Sequence, residues 1–178
     1  MPSRKARTEY MSPILLVEKA NSEYRKILNL KRFNVCVEYC HFKMENLKTV
    51  CDLINRGSLM SSIDLRKAYY SVSISENSRK YLRFEWYNKL YQYRALPDEL
   101  ASGPRIFSGI IRELFTELRR RSIACVYYLD DSVIVAETEE LCLQHTKFAL
   151  DILSKAGFFV HYDKSVLQPA NIYTRGES

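Results

Sequence analysis

The chain has 178 residues, a hydrophobic content of 47% and a net charge of +6. That content supports one domain with a sizeable core and excludes a chain that is disordered throughout. The positive charge favours an anionic partner, although charge alone does not separate nucleic acid from an acidic protein or lipid surface. The 13 tyrosines suit stacking on nucleic-acid bases, but most tyrosines in any domain are half-buried packing residues.

The cysteine pattern and the lengths of the apolar runs indicate the cellular compartment of the protein. The five cysteines form no Cys-X-X-Cys pair, so the sequence predicts neither a disulfide framework nor a zinc site, and a reducing compartment fits best. No apolar run has the length of a membrane span, and the basic start Arg4-Lys5-Ala6-Arg7 is not followed by the apolar stretch of a secretory signal. We expect an intracellular protein of the cytoplasm or nucleus, with no membrane partner.

The first predicted element is a β-hairpin. Ser12–Val17 and Tyr24–Leu30 have strand character and flank a polar loop. Lys19 and Arg25 lie on either side of that loop. From the residues alone, these two cations are either solvated strand charges or contacts for an anion.

A helix, a strand and a second hairpin are predicted next. Residues 42–56 carry apolar side chains at the spacing of one helical face, and Gly57 follows as a C-terminal cap. The strand after it brings Asp64 to the start of a turn. Residues 81–94 are predicted as a hairpin that turns at Tyr87-Asn88.

Two amphipathic helices are predicted in the second half of the chain. Pro104–Arg121 carries an apolar stripe and ends in three arginines, which either favour the helix C-terminus or contact nucleic acid. Thr138 is the predicted N-cap of a helix that runs to Gly157. Phe158–Tyr162 is the predicted strand after it.

Between these helices, residues 123–136 predict a hairpin in which two strand-like apolar runs flank Asp130 and Asp131. We expect both aspartates where the ribbon reverses. One interpretation is turn chemistry alone, since Asp favours turns. The other is that adjacent carboxylates on apolar strands repel each other until a divalent cation binds. With Asp64 as a third carboxylate, the pattern predicts a site for two Mg²⁺ ions and phosphoryl chemistry.

Several motifs occur in a definite order over residues 12–170. They are the Lys19–Asn34 hairpin, His41-Phe42-Lys43-Met44-Glu45, Ile63-Asp64-Leu65-Arg66-Lys67-Ala68-Tyr69-Tyr70, Leu96-Pro97 with Pro104-Arg105-Ile106-Phe107, Tyr128-Leu129-Asp130-Asp131, and Gly157-Phe158 with Asp163-Lys164-Ser165. In this order they resemble the fingers and palm of a retroelement reverse transcriptase, closest to the retrotransposons of the DIRS-like and Ty3-like groups.

The resemblance implies an α+β fold with an antiparallel palm sheet, helices on one face of it, and a small β-hairpin fingers region. We expect one reverse transcriptase-like domain over residues 1–178, with fingers mainly at 12–60 and 76–100 and palm mainly at 61–75 and 101–170. The family continues beyond the palm into a thumb and usually an RNase H domain, and we expect this chain to lack both.

The resemblance also implies the metal site. Asp64, Asp130 and Asp131 would be catalytic and would hold two Mg²⁺ ions, or Mn²⁺ in their place, with the backbone carbonyl of Leu65 as a further ligand. The reaction would be RNA-directed DNA synthesis on an RNA or DNA primer-template.

The same resemblance assigns the contacts of the deoxynucleoside triphosphate. Lys19 and Arg25 are similar to the finger residues that clasp the triphosphate, a role that suits their charge. Tyr69 matches the aromatic gate that excludes a ribose 2′-hydroxyl. Lys164 is similar to the catalytic lysine that protonates the leaving pyrophosphate.

One motif departs from the family pattern. Where the family has Leu-Pro-Phe-Gly-Leu, this chain has Asp98 and Glu99 between Leu-Pro and Leu. Glu99 removes the backbone freedom of glycine, and at about 6 Å from a triphosphate it would add roughly 3 kcal/mol of repulsion per unit charge. We therefore expect impaired polymerisation.

Two other functions stay open. The chain would alternatively be a catalytically degenerate or repurposed palm that binds nucleic acid or a protein partner. An RNA-dependent RNA polymerase would use the same three aspartates to bind metal ions, but the bulky Tyr69 disfavours this function. The sequence predicts neither template preference nor oligomeric state.

Overall fold

The computed structural model of the chain describes residues 10–18, 22, 24–45, 47–55 and 57–171. They fall into two compact units, which we call the hairpin unit (within 1–40 and 72–103) and the sheet unit (within 41–71 and 104–178). The strands are β1 (Ile14–Glu18), β2 (Tyr24–Leu28), β3 (Leu59–Asp64), β4 (Arg83–Trp86), β5 (Lys89–Gln92), β6 (Ala124–Tyr128), β7 (Asp131–Ala136) and β8 (Val166–Asn171). The helices are α1 (Lys31–Asn34), α2 (Leu47–Leu53), α3 (Glu76–Arg79), α4 (Gly103–Arg120) and α5 (Glu139–Lys155).

The hairpin unit contains both predicted hairpins, β1–β2 and β4–β5. In the second hairpin Trp86 pairs with Lys89, so Tyr87 and Asn88 form the two-residue turn that was predicted. Their φ angles of 48° and 58° are the left-handed values that such a tight turn requires. The buried side chains of this unit are mainly leucines: Leu28, Leu30, Leu82, Leu96 and Leu100.

The sheet unit is built on an antiparallel sheet of order β6-β7-β3-β8. Phe115 of α4 packs on Tyr127 of β6 with ring centroids 5.0 Å apart, and Cys142 of α5 lies 3.4 Å from the Ser61 hydroxyl of β3. The strand register places Tyr127 and Ser61 on the same face of the sheet. Both long helices therefore cover one face, which confirms the predicted α+β palm architecture.

Local sequence signals account for the ends of α5. The Thr138 hydroxyl accepts a hydrogen bond from the Leu141 N–H at 3.3 Å, as expected of an N-cap. Gly157 follows the last turn with φ 85°, a conformation that glycine adopts at little cost. No helix in the described ranges is long and apolar enough to cross a membrane.

Residues 41–45 belong to the sheet unit, where Glu45 pairs with Arg119 and accepts a hydrogen bond from the Tyr127 N–H at 3.2 Å. The predicted division into fingers and palm stays a prediction. The predicted strand at 158–162 is wrong in extent, because only Val160 forms a bridge, to Leu65. The chain then turns before β8, since the N–H groups of Lys164 and Ser165 both donate to the carbonyl of His161.

Candidate active site

The acidic hairpin reverses in a two-residue loop. Tyr128 pairs with Asp131, so Leu129 and Asp130 form the loop and Asp131 is the first residue of β7. The expectation that both aspartates lie in the turn is therefore wrong for Asp131. Leu129 has φ 51°, which suits the first position of a tight hairpin turn but is costly for a leucine. Such backbone strain is frequent at functional sites.

Asp64 ends β3 directly opposite Asp131 of β7. The neighbouring Leu65 N–H donates a hydrogen bond to the Asp130 carbonyl at 2.9 Å, which ties the end of β3 to the acidic turn. Residues opposite each other on paired strands project to the same face, here the face that α4 and α5 do not cover. The predicted proximity of Asp64 to the aspartate pair is confirmed.

The charges of this site are partly unbalanced. Burial raises the pKa of the Asp131 carboxyl, and the negative charge of Asp64 raises it further. The ammonium group of Lys164 opposes both effects by lowering that pKa. Lys164 is therefore close enough to act on the Asp131 carboxylate, and its role as a proton donor stays a prediction. The remaining repulsion favours the binding of a cation.

A tight turn holds the backbone of Asp64. The Asp64 carbonyl accepts a hydrogen bond from the His161 N–H at 2.8 Å, and the Asp64 N–H donates to the Ser165 hydroxyl at 3.0 Å. The same hydroxyl donates to the His161 carbonyl at 2.9 Å. Sequence reasoning gave no role to His161 or Ser165, and the only signal was that Ser165 follows Lys164 in the Asp-Lys-Ser motif.

The predicted sugar gate is held by an aromatic stack. Tyr69 is half-buried and stacks on Phe107 with ring centroids 4.9 Å apart and planes 14° apart. Phe107 has no exposed surface and meets the edge of Phe158 at 5.9 Å. Leu65 is buried, and Lys67, between it and Tyr69, has φ 51°. Leu65 and Tyr69 thus pack inward in the segment after Asp64, while Arg66 and Lys67 are exposed.

Of the predicted triphosphate contacts, Arg25 belongs to the hairpin unit. Arg25 forms an ion pair with Asp98 at 2.9 Å, which the sequence analysis did not foresee. Burial raises the pKa of the neighbouring Glu99 carboxyl, Asp98 adds to that rise, and Arg25 opposes it. Lys19 lies outside the described residues.

Residues 17–172 match the family "Reverse transcriptase (RNA-dependent DNA polymerase)". The chain belongs to the reverse transcriptase family.

Individual relatives agree with this assignment. The reverse transcriptase chain is 25% identical over 166 residues to the enzymatic polyprotein of figwort mosaic virus (strain DxS), covering 91% of this chain and 24% of that protein. It is 26% identical over 174 residues to the Gag-Pol polyprotein of avian reticuloendotheliosis virus, covering 92% of this chain and 15% of that protein. The chain thus spans about a quarter or less of these relatives, and they do not single out the DIRS-like or Ty3-like groups.

A solved structure of similar fold is the foamy viral protease-reverse transcriptase in complex with double-stranded DNA. Its TM-score is 0.79 at 24% identity, over 89% of this chain and 32% of that one. At this identity the likeness supports the fold alone, and it agrees with the antiparallel sheet unit described above.

The residues at the acidic turn fit the divalent cation that reverse transcriptases use. Asp64 and Asp131 present hard carboxylate oxygens, and the negative charge of Asp64 disfavours the ionised form of Asp131, which a cation would relieve. Within the described ranges no group of three or more His, Cys, Asp or Glu residues is close enough to hold a metal. The fit therefore rests on the opposed pair, and the role of Asp130 as a third ligand stays a prediction.

Proposed function

We propose that this chain is the fingers-and-palm part of an RNA-directed DNA polymerase. It would come from a retroelement or viral polyprotein and join a primer 3′-hydroxyl to a deoxynucleoside triphosphate. The observation that supports this best is the register that sets Asp64 opposite Asp131, with Lys164 near enough to influence the pKa of Asp131. The order of the motifs supports the finer proposal of a DIRS-like or Ty3-like element.

In this proposal Asp64 and Asp131 hold the divalent cations, Mg²⁺ or Mn²⁺, with Asp130 and the Leu65 carbonyl as further ligands. A bound cation supplies electrostatic stabilisation of the charge that develops in phosphoryl transfer. The turn at His161 and Ser165 keeps the Asp64 backbone in place through two hydrogen bonds. Orientation of this kind is a large part of catalysis in phosphoryl transfer, since the protein's main task is positioning.

Lys164 is proposed as the proton donor to the leaving pyrophosphate. Its ammonium group lowers the pKa of Asp131, so it acts on one of the carboxylates that would organise the reaction. The turn that carries it is closed by hydrogen bonds from the Lys164 and Ser165 N–H groups to the His161 carbonyl, at 3.1 and 3.0 Å. A general acid held on a closed turn keeps its distance to the reacting phosphate.

Tyr69 is proposed to select deoxynucleotides. Its stack on the fully buried Phe107 leaves the ring little freedom to move away from a ribose 2′-hydroxyl. Arg25 and Lys19 are proposed to contact the triphosphate. The primer-template is proposed to be RNA or DNA, which the net charge of +6 favours, and the fold neighbour that holds double-stranded DNA gives further support.

A catalytically degenerate or repurposed palm is the second candidate function. It is favoured by Asp98 and Glu99, because the first neutralises Arg25 and the second places another carboxyl beside it. Such a palm would bind nucleic acid or a protein partner without chemistry.

The experiment that separates the two functions is primer extension with Mg²⁺ and with Mn²⁺. It compares the chain with an Asp64→Asn variant, which removes a proposed metal ligand, and with a Glu99→Gly variant. We expect weak extension by the chain, none by Asp64→Asn, and faster extension by Glu99→Gly. Extension that survives Asp64→Asn would refute the proposed active site, and no extension by either the chain or Glu99→Gly would favour the degenerate palm.

The cellular setting is also a proposal. All five cysteines are free in the structure, which suits a reducing compartment such as the cytoplasm or nucleus.

A further inference from the structure

Arg25 already has an anionic partner within its own unit. Its guanidinium donates to the Asp98 carboxylate at 2.9 Å, across 73 residues of sequence. The two side chains are 54% and 33% exposed, so the pair is accessible to a dissolved anion. Arginine binds carboxylates and phosphates with the same planar set of N–H donors, and one guanidinium edge cannot serve both at full strength.

The loop that carries Asp98 is anchored. The side-chain amide of Asn34 donates to the Glu99 carbonyl at 2.9 Å, and its oxygen accepts from the Ala101 N–H at 2.9 Å. The Leu100 N–H also donates to the Pro97 carbonyl. Because the loop is held on both sides of Glu99, the Asp98 carboxylate is presented to Arg25 by a fixed backbone.

We propose that Asp98 is a positioning residue that acts through Arg25 as a built-in competitor for polyphosphate. A triphosphate that binds Arg25 must first displace the Asp98 carboxylate, which sets the affinity of the hairpin unit for the nucleotide's anionic end. The inference rests on the proposed role of Arg25 in the polymerase.

The expected size of the effect follows from the exposure of the pair. Exposed ion pairs are weak, so removing the competing carboxylate should tighten polyphosphate binding only about two- to fivefold. The gain in affinity should require Arg25. A general rise in positive charge would tighten polyphosphate binding without Arg25 as well, so this requirement separates the two explanations.

The test is a calorimetric titration of the whole chain with inorganic tripolyphosphate, in EDTA and at constant ionic strength. The variants are Asp98→Asn, Arg25→Gln and the double variant. Glu76→Gln is the matched control, because it removes one exposed carboxylate that pairs with another arginine of the same unit, Arg79, at 3.4 Å. We expect Asp98→Asn to tighten binding about two- to fivefold, Glu76→Gln to leave it unchanged, and Asp98→Asn to have no effect when Arg25 is glutamine.

The inference is overturned if Asp98→Asn behaves like Glu76→Gln, or if its gain persists without Arg25. Asp98→Ser is a second variant with the same expectation, should Asp98→Asn fold poorly. Primer extension gives the separate readout: Asp98→Asn should lower the KM for the nucleotide with little change in kcat. If the tripolyphosphate cycle behaves as expected while no variant extends a primer, the polymerase proposal fails and the competition stands. If the chain extends primers but Asp98→Asn tightens tripolyphosphate binding equally with and without Arg25, the competition is refuted and the polymerase proposal stands.

Discussion

Asp64 and Asp131 lie opposite each other at the ends of two paired strands, and the pKa of Asp131 is raised by burial and then by the charge of Asp64. The pair therefore opposes folding slightly while it prepares a cation site, which is a common conflict between stability and function.

We expect Asp131→Asn to stabilise the chain at neutral pH by less than about 1 kcal/mol, since the group is largely exposed. An acid with a raised pKa binds more protons when folded, so the parent chain loses stability as pH rises above the ordinary value of 3.8. The advantage of the variant should be present at neutral pH and vanish below that value. Urea unfolding across this range measures it. Asp151→Asn is the control and should destabilise slightly, because it breaks the ion pair with Lys155.

Divalent cations should stabilise the chain through the same two carboxylates. Mg²⁺ or Mn²⁺ at about ten times its dissociation constant would add about 1.4 kcal/mol to the free energy of unfolding. We expect a rise in Tm that EDTA reverses, that Asp64→Asn and Asp131→Asn abolish, and that Asp151→Asn retains. An equal rise in Asp64→Asn would show that the cation binds elsewhere.

The stack of Tyr69 on Phe107 predicts how sugar selectivity is lost. Tyr69→Ala should reduce the preference for deoxynucleotides over ribonucleotides by tenfold or more, on the order of 1.4 kcal/mol, while Tyr69→Phe should keep it because the ring remains. Phe107→Leu should cause a smaller loss, since it loosens the support of the ring. The ratio of kcat/KM for the two nucleotides in primer extension measures this. The adjacent, exposed Tyr70 provides the control, and an equal loss in Tyr70→Ala would contradict the assignment.

Relief of the backbone strain at Leu129 should raise the free energy of unfolding. Asn tolerates the left-handed conformation better than Leu, so Leu129→Asn is expected to raise the free energy of unfolding by about 0.5 to 1 kcal/mol. Leu129→Ala has no polar side chain that could hydrogen-bond the nearby backbone at φ 51°, so it should bring no gain. Urea unfolding of the three proteins decides it, and a gain in Leu129→Ala as large as in Leu129→Asn would mean that φ strain is not the cause.

Much of the fold could be predicted because its signals are local. Strand alternation and turn residues predicted the hairpin at Tyr87-Asn88, and the polar residue at Thr138 predicted the start of α5. Such signals depend on neighbours within a few residues, so one sequence contains them. The motif order also predicted that Asp64 meets the acidic hairpin.

The remaining features depend on which distant segments pair. Register alone decides that Asp131 is a strand residue opposite Asp64, because a shift of one residue would send its carboxylate to the helical face. The hydrogen bond from the Asp64 N–H to the Ser165 hydroxyl joins residues 101 positions apart in the sequence, and the Arg25–Asp98 ion pair joins residues 73 positions apart. Charge and hydrogen-bonding capacity are properties of single residues and are visible in the sequence, whereas the partner that satisfies them is chosen only when the chain has folded.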